Sequence, residues 1–248
     1  MKKRFTISNI LTRTLLGLVF FAATSLLIGG CSSSATSPGT TSTVTATNDM
    51  QNTVIEGTHQ RFPTPADGST VDTLTITKVR VFMSGLHLHV SDETAAGVGA
   101  FQSQPTIVTF TPGAVNSLGS TTIPVGIYTQ MIFDLHTPDV ASDAGAIITN
   151  PDFVTVDKKY TIIIDGFMVK NGTRSAFSYK TAMVRNLKPV FIPSSLITVA
   201  EQNYAVNLRF DGIIAFAISS GGKPLDPTDT ANAITIDNQI AKAFLAQH

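Results

Sequence analysis

Residues 74–90 read LTITKVRVFMSGLHLHV. Val79, Val81 and Met83 occupy odd positions, whereas Leu86, Leu88 and Val90 occupy even ones, so the apolar phase changes across Ser84-Gly85. Alternation of this kind marks a strand, because successive side chains leave opposite faces of a sheet. A strand cannot carry its apolar set to the other face without an extra residue. A β-bulge or sharp bend is therefore expected at Ser84-Gly85, with the glycine supplying the backbone freedom. The alternative, a helix, is disfavoured by the density of β-branched side chains.

The same period recurs further along the chain. Tyr204, Val206, Leu208 and Phe210 alternate with Ala205, Asn207, Arg209 and Asp211. Ile127, Met131, Phe133 and Leu135 alternate with Tyr128, Gln130, Asp134 and His136, which places Ile127 inward and Tyr128 outward. A dense apolar run from Tyr160 to Val169 is followed by Asn171-Gly172 and by a second run from Ser175 to Val184. Asn-Gly between two such runs predicts a two-residue hairpin, since both turn positions need positive φ. Helical spacing occurs late, where Pro227-Thr228-Asp229-Thr230 offers start signals and Ile236, Ile240 and Phe244 recur every four residues. Short strands with turn signals and one late helix indicate a mainly β chain, an antiparallel β-sandwich with one C-terminal α-helix, rather than an alternating α/β fold.

The start of the chain has a different character. Lys2, Lys3, Arg4 and Arg13 precede an almost wholly apolar run from Leu15 to Ile28, which ends in Gly29-Gly30-Cys31. A charged region, a hydrophobic core too short to span a bilayer comfortably and a small-residue cleavage site together predict an export signal. Leu27-Ile28-Gly29-Gly30-Cys31 resembles a bacterial lipobox, which implies cleavage before Cys31, acylation of its thiol and a bacterial cell-envelope address. Ser32 after the cysteine, by the same resemblance, implies sorting to the outer membrane. Two or three acyl chains give durable anchoring where one does not. An ordinary secretory signal is the alternative. Against it stands the single cysteine, which has no partner for an internal disulfide.

Removing residues 1–30 takes away four basic and no acidic residues, leaving thirteen basic against seventeen acidic and a formal charge of −4. That balance argues against a nucleic-acid partner. From Ser32 to Asn52 the sequence is rich in serine and threonine and holds no charge before Asp49. Too little apolar surface is available there to offset ordering entropy, so a disordered, flexible linker is expected. The expected organisation is a signal peptide over 1–30, a lipidated cysteine and linker over 31–52, and a β-sandwich domain with its C-terminal helix over 53–248.

Several segments together carry a resemblance to a family. Ile76 to Leu88, Ile123-Pro-Val-Gly-Ile-Tyr-Thr-Gln-Met131, Phe177-Ser-Tyr179 and Leu225-Asp-Pro-Thr-Asp229 resemble uncharacterised bacterial lipoproteins with immunoglobulin-like or transthyretin-like sandwich domains. The likeness spans most of residues 70–245. It implies a fold and an envelope location, and carries no catalytic residue. A fainter likeness, through the strand-Ser-Gly-strand and Pro-x-Gly-x-Tyr features, is to periplasmic copper-binding proteins. Their chemistry uses tryptophan-derived and histidine groups, and this chain has no tryptophan.

Candidate chemistry is sparse. His87 and His89 leave the same strand face, and His136 with Asp134 ends another strand, so the three imidazoles form a candidate copper or zinc set if the strands are neighbours. Solvated or cross-strand structural histidines are the alternative. Asp226, Asp229, Asp237, Asn232 and Asn238 lack the twelve-residue calcium-loop pattern, and turn and capping roles account for them more simply. Ser32 to Ser34 and Ser194-Ser195 sit in no nucleophile-elbow or Ser-x-x-Lys pattern. Gly97-Val98-Gly99 and Gly221-Gly222-Lys223 match neither phosphate-loop nor dinucleotide spacing. Asn171-Gly-Thr173 reads as a turn rather than a glycosylation site. The expectation is a non-catalytic envelope lipoprotein, held to the bilayer by Cys31, that binds an unidentified protein or glycan or serves as a structural part of the envelope. A copper or zinc carrier and an adhesin-type or carbohydrate-binding surface domain are the alternatives.

Overall fold

The computed structural model describes residues 41–56, 71–90, 98–216 and 224–248. The signal, Cys31 and the linker as far as residue 40 lie outside the described residues, as do Gly97 and the Gly221-Gly222-Lys223 stretch.

Among the described residues the strands are β1 (Thr41–Gln51), β2 (Val54–Glu56), β3 (Val71–Val90), β4 (Val98–Gln102), β5 (Thr106–Phe110), β6 (Asn116–Pro124) and β7 (Ile127–Leu135). A short helix α1 (Ala144–Thr149) precedes β8 (Ile162–Lys170), β9 (Thr173–Thr181), β10 (Arg185–Leu187), β11 (Phe191–Ile192), β12 (Leu196–Ile197) and β13 (Asn203–Asp211). Helices α2 (Gly212–Phe216) and α3 (Ala233–Ile240) lead to a last strand, β14 (Phe244–Gln247). One sheet has the order β11-β14-β13-β1-β6, and the other runs β10-β7-β3-β8-β9 with β2, β4 and β5 on the free edge of β3 and β12 on β7. The inward faces form one core in which Phe110, Phe133, Phe210 and Phe244 meet edge to face or tilted at 5.3–6.2 Å. The chain is thus mainly β, with two sheets arranged as a sandwich and a short helix near its C-terminus.

The long strand β3 organises the larger sheet. Its register shifts between Ser84 and His87 against β7, and Gly85 has φ +65°. This is the bulge expected from the phase change, and Val79, Val81 and Met83 before it and Leu86 and Leu88 after it are all buried in the core. A second shift, between Ile76 and Lys78 against β8, moves the inward set from Leu74 and Ile76 to Val79. Each bulge bends the strand, and the first edge of β3 passes from β8, up to Val81, to β7, from Met83 onward. The β8–β9 hairpin closes through Asn171 (φ 51°) and Gly172 (φ 74°), as the Asn-Gly signal predicted.

Four expectations need correction. The flexible linker does not extend to residue 52: Thr41–Gln51 is an eleven-residue strand between β13 and β6, with Val44, Ala46, Asn48 and Met50 turned inward. The sandwich is not purely antiparallel, because β1 pairs with β13 in parallel and β11 with β14 likewise. Tyr128, not Ile127, is the buried one of that pair: a register shift between His89 and Val90 reverses the strand's faces, leaving Ile127 47% exposed. The C-terminal helix ends at Ile240, and Phe244 begins a strand that pairs with β13 and β11 instead of a further helical turn.

A second, smaller apolar cluster lies on the outer face of the larger sheet. Phe82, Phe153 and Ile163 form it, with Ile107, Ala146 and Tyr160 packed alongside. Arg80 spans its edge, with Nη1 2.9 Å from Asp152 Oδ2, Nη2 3.0 Å from Asp165 Oδ2 and the guanidinium 5.9 Å from the Phe153 ring centre.

Candidate functional site

The three histidines do not converge. His87 lies opposite Ile132 in the β3–β7 pairing, and His136 stands four residues beyond Ile132, about 13 Å along the strand. His136 instead meets Phe82 edge-on, ring centres 4.8 Å apart. The His87 Nδ1 is hydrogen-bonded to the Gly85 carbonyl, and Gln130 Nε2 lies 3.4 Å from His89 Nδ1. Asp134 accepts from the Asn186 amide at 2.7 Å. Among the described residues no three His, Cys, Asp or Glu side chains gather as a metal site would require.

The acidic residues near the C-terminus serve the fold. Asp226 is buried and accepts from Thr228 N (2.8 Å), Thr228 Oγ1 (2.6 Å) and Lys170 Nζ (2.9 Å). Burial pushes its carboxyl upward, but these hydrogen bonds and the Lys170 charge outweigh burial and hold it below the usual range. Asp229 caps the turn before α3 by accepting from Ala231 N at 2.9 Å, and the Asn232 amide donates to Asp226 O at 3.1 Å. Asp237 accepts from the Tyr179 hydroxyl at 2.7 Å, docking α3 onto β9.

A candidate binding arrangement lies at the seam where β1 and β6 of one sheet face β5 of the other. A cavity of about 300 Å³ opens there, with Asn48, Gln102, Asn116 and Ser117 in its lining beside Thr106, Thr109 and Thr111. Val108 and Leu118 supply its apolar wall, and Ile107, whose side chain packs in the outer-face cluster, completes the lining. None of these ten lining residues carries a charge. Asn48, wholly buried, forms the innermost part.

The Asn48 amide is oriented by its neighbours. Its Nδ2 donates to the Thr109 carbonyl at 2.9 Å, an atom that can only accept, which fixes the Oδ1 on the other side. That Oδ1 is buried and has no hydrogen-bond partner among the described residues. The Asn116 amide donates to the same Thr109 carbonyl at 3.3 Å, and the Gln102 amide to Leu118 O at 3.2 Å. With their N–H groups turned to the backbone, these amides keep carbonyl oxygens to offer, and the threonines and Ser117 add hydroxyls that can donate or accept. The site presents mixed neutral hydrogen-bonding groups against a short aliphatic wall.

Asn48 was concealed in the sequence because it lies in the stretch whose composition reads as a linker. The signal that could have found it is the alternation of Val44, Ala46, Asn48 and Met50 with Thr43, Thr45, Thr47 and Asp49, which sets a polar amide at an inward position. No protein-family model, curated protein or solved structure matches the chain. Among the described residues no helix is long and apolar enough to cross a membrane.

Proposed function

We propose that this chain is a non-catalytic envelope lipoprotein, anchored in the bacterial outer membrane through acylated Cys31, whose sandwich binds a neutral, hydroxyl-rich ligand of the glycan class. The anchoring half of the reading is supported by the basic start, the apolar run, the lipobox-like Leu27 to Cys31 and the lone thiol. The binding half is supported by one observation above all: a charge-free pocket whose innermost residue, Asn48, holds a buried carbonyl oxygen without a partner. A buried unpaired acceptor costs about 1–3 kcal/mol, a cost that a functional site accounts for. A charged ligand would find no counter-charge in this lining. A polyol would find hydroxyls and amide oxygens spaced around an aliphatic patch on which a sugar's C–H face can rest.

The test is a glycan array probed with the detergent-solubilised mature protein, alongside its Asn116→Ala and Ser117→Ala variants. Binding of a defined neutral saccharide that both variants weaken supports the reading. Saccharide binding indifferent to both substitutions, or hydrolytic turnover of the bound glycan, contradicts it. Mass spectrometry of the N-terminal peptide checks the anchor, and an unmodified Cys31 thiol would refute it.

A further inference from the structure

The described chain begins at Thr41, at one end of the sandwich. There the Glu201 N–H donates to Thr41 O at 2.9 Å, the Ser42 hydroxyl to Val199 O at 2.6 Å, and Thr41 pairs with Pro124 at the end of β6. Around this point four aliphatic side chains stand in solvent: Val125 (44% exposed), Ile127 (47%), Ile197 (63%) and Val199 (47%). Ile127 and Ile197 are direct cross-strand partners, and the backbones on either side of them are tied by Thr198 N to Gly126 O at 3.0 Å and Gly126 N to Thr198 Oγ1 at 3.0 Å. The four side chains belong to two adjoining stretches of backbone, beside the first residue of β1.

The surrounding sequence is almost free of charge. Residues 120–130 contain no Asp, Glu, Lys or Arg, and residues 190–204 contain only Glu201. Clustered exposed aliphatics in a neutral setting mark a surface that meets something apolar. The length of chain upstream selects the partner. Nine residues lie between Cys31 and Thr41, and the ten steps from one to the other, at 3.3–3.6 Å each, reach at most about 35 Å.

We infer that Val125, Ile127, Ile197 and Val199 form a lipid-facing foot, which rests in the interface of the same bilayer that holds the acyl chains of Cys31. The inference rests on the anchoring reading. Covalent attachment makes the contact intramolecular, so a patch too small to bind a membrane by itself is occupied once the chain is tethered. The orientation follows. Asn48 lies seven residues along β1 from Thr41, about 23 Å of strand, so the pocket points away from the bilayer while the foot meets it.

The lone cysteine makes the test clean, because acylation of Cys31 leaves any engineered thiol as the single labelling site. Ile197→Cys and, near the pocket end, Val115→Cys variants of the full chain are expressed, purified as mature lipoprotein and labelled with an environment-sensitive dye. They are then reconstituted into phosphatidylcholine vesicles with or without a quencher attached to the lipid tails. The expected result is a blue-shifted dye at position 197 that the lipid quencher dims several-fold more than the dye at position 115. Equal, water-like emission at both sites, in a sample whose N-terminal peptide is shown by mass spectrometry to be acylated, overturns the foot while leaving the anchor standing. An unmodified Cys31 overturns both. A blue shift at 197 that grows with protein density and ignores the lipid quencher assigns the patch to a second copy of the chain, and also overturns the inference.

Discussion

Arg209 faces Asp49 across the parallel pairing of β13 with β1 and holds its carboxylate in a fork, Nε to Oδ1 at 2.9 Å and Nη2 to Oδ2 at 2.7 Å. The Asn207 amide adds a third donor at 2.9 Å. Both ionic side chains are more than four-fifths buried, at 16% and 18% exposure, so solvent screens the pair only partly. A parallel pair of strands is slightly less stable per residue than an antiparallel one, and here the paired strands are the first and one of the last of the described chain. The fork fixes their register.

This pair has a pH signature. Burial pushes the Asp49 carboxyl upward, but the hydrogen bonds from Arg209 and Asn207 and the Arg209 charge outweigh burial and leave it below its ordinary value of 3.8. A depressed folded value means that its contribution is complete above the unfolded value and lost as pH falls through the folded one. The wild type is therefore expected to lose stability below about pH 4, partly through this group. Asp49→Ala should cost about 2 kcal/mol at pH 7, because it strands a largely buried guanidinium as well as deleting the fork. Urea unfolding at pH 7 and pH 3 checks this: the gap between wild type and variant should narrow at the lower pH, and an unchanged gap would refute the argument.

A second titration reports on the α3 docking. The Tyr179 hydroxyl lies 2.7 Å from Asp237 Oδ1 and 3.0 Å from Ala233 O. Burial, and then the hydrogen bond and charge of Asp237, push its ionisation far above the ordinary value of 10.0. Its contribution is complete below that ordinary value and declines as pH rises above it, since the unfolded chain then releases a proton that the native state retains. Burial also raises Tyr128. In an alkaline absorbance titration Tyr128 and Tyr179 should therefore ionise at higher pH than a free tyrosine. Tyr179→Phe should remove one of the two delayed transitions and cost about 1 kcal/mol at pH 7. A delayed component undiminished in Tyr179→Phe would remove the basis of this prediction.

How far the sequence discloses this fold depends on where side-chain alternation stays in phase. The Ser84-Gly85 bulge was legible because odd apolar positions meet even ones across a glycine. The shift between Ile76 and Lys78 left the same kind of trace, with Leu74 and Ile76 even and Val79 odd, but no glycine punctuates it. Tyr128 and Ile127 were exchanged because a register shift between His89 and Val90, on the neighbouring strand, decides which of them faces the core. Single-sequence periodicity cannot see a partner strand. Strand β1 was hidden by composition: its outward positions are four threonines followed by Asp49 and Gln51, and only the small Ala46 and the amide of Asn48 separate the inward Val44 and Met50. The candidate pocket disappeared with it, since it exists only where β1 and β6 close over β5.

The bulge itself can be tested by substitution. Gly85 holds φ +65°, and a Cβ there would stand 3.3 Å from Asp134 Oδ2. Left-handed backbone costs an ordinary L-residue about 1–2 kcal/mol, while asparagine tolerates it better. Gly85→Ala should therefore lower stability by about that amount, and Gly85→Asn by less. Thermal unfolding of the two variants ranks them, and Ala at least as stable as Asn would argue that backbone conformation is not what the glycine serves.

Asn48 separates stability from binding most sharply. Replacing it with leucine removes a buried oxygen that has no partner among the described residues, and fills similar volume with carbon between the inward Ala46 and Met50. The lost hydrogen bond to the Thr109 carbonyl is partly covered, because the Asn116 amide already donates to the same atom. Deleting an unsatisfied group while retaining shape is close to neutral or stabilising, whereas an ordinary buried amide satisfied on all sides would cost several kcal/mol to replace. Asn48→Leu should thus unfold within about 1 kcal/mol of the wild type, on either side of it. If the amide is kept for ligand, the same variant should lose at least tenfold in affinity for whatever saccharide the array identifies. A large loss of stability with binding intact per folded molecule would make Asn48 a structural residue and remove the pocket's claim to function.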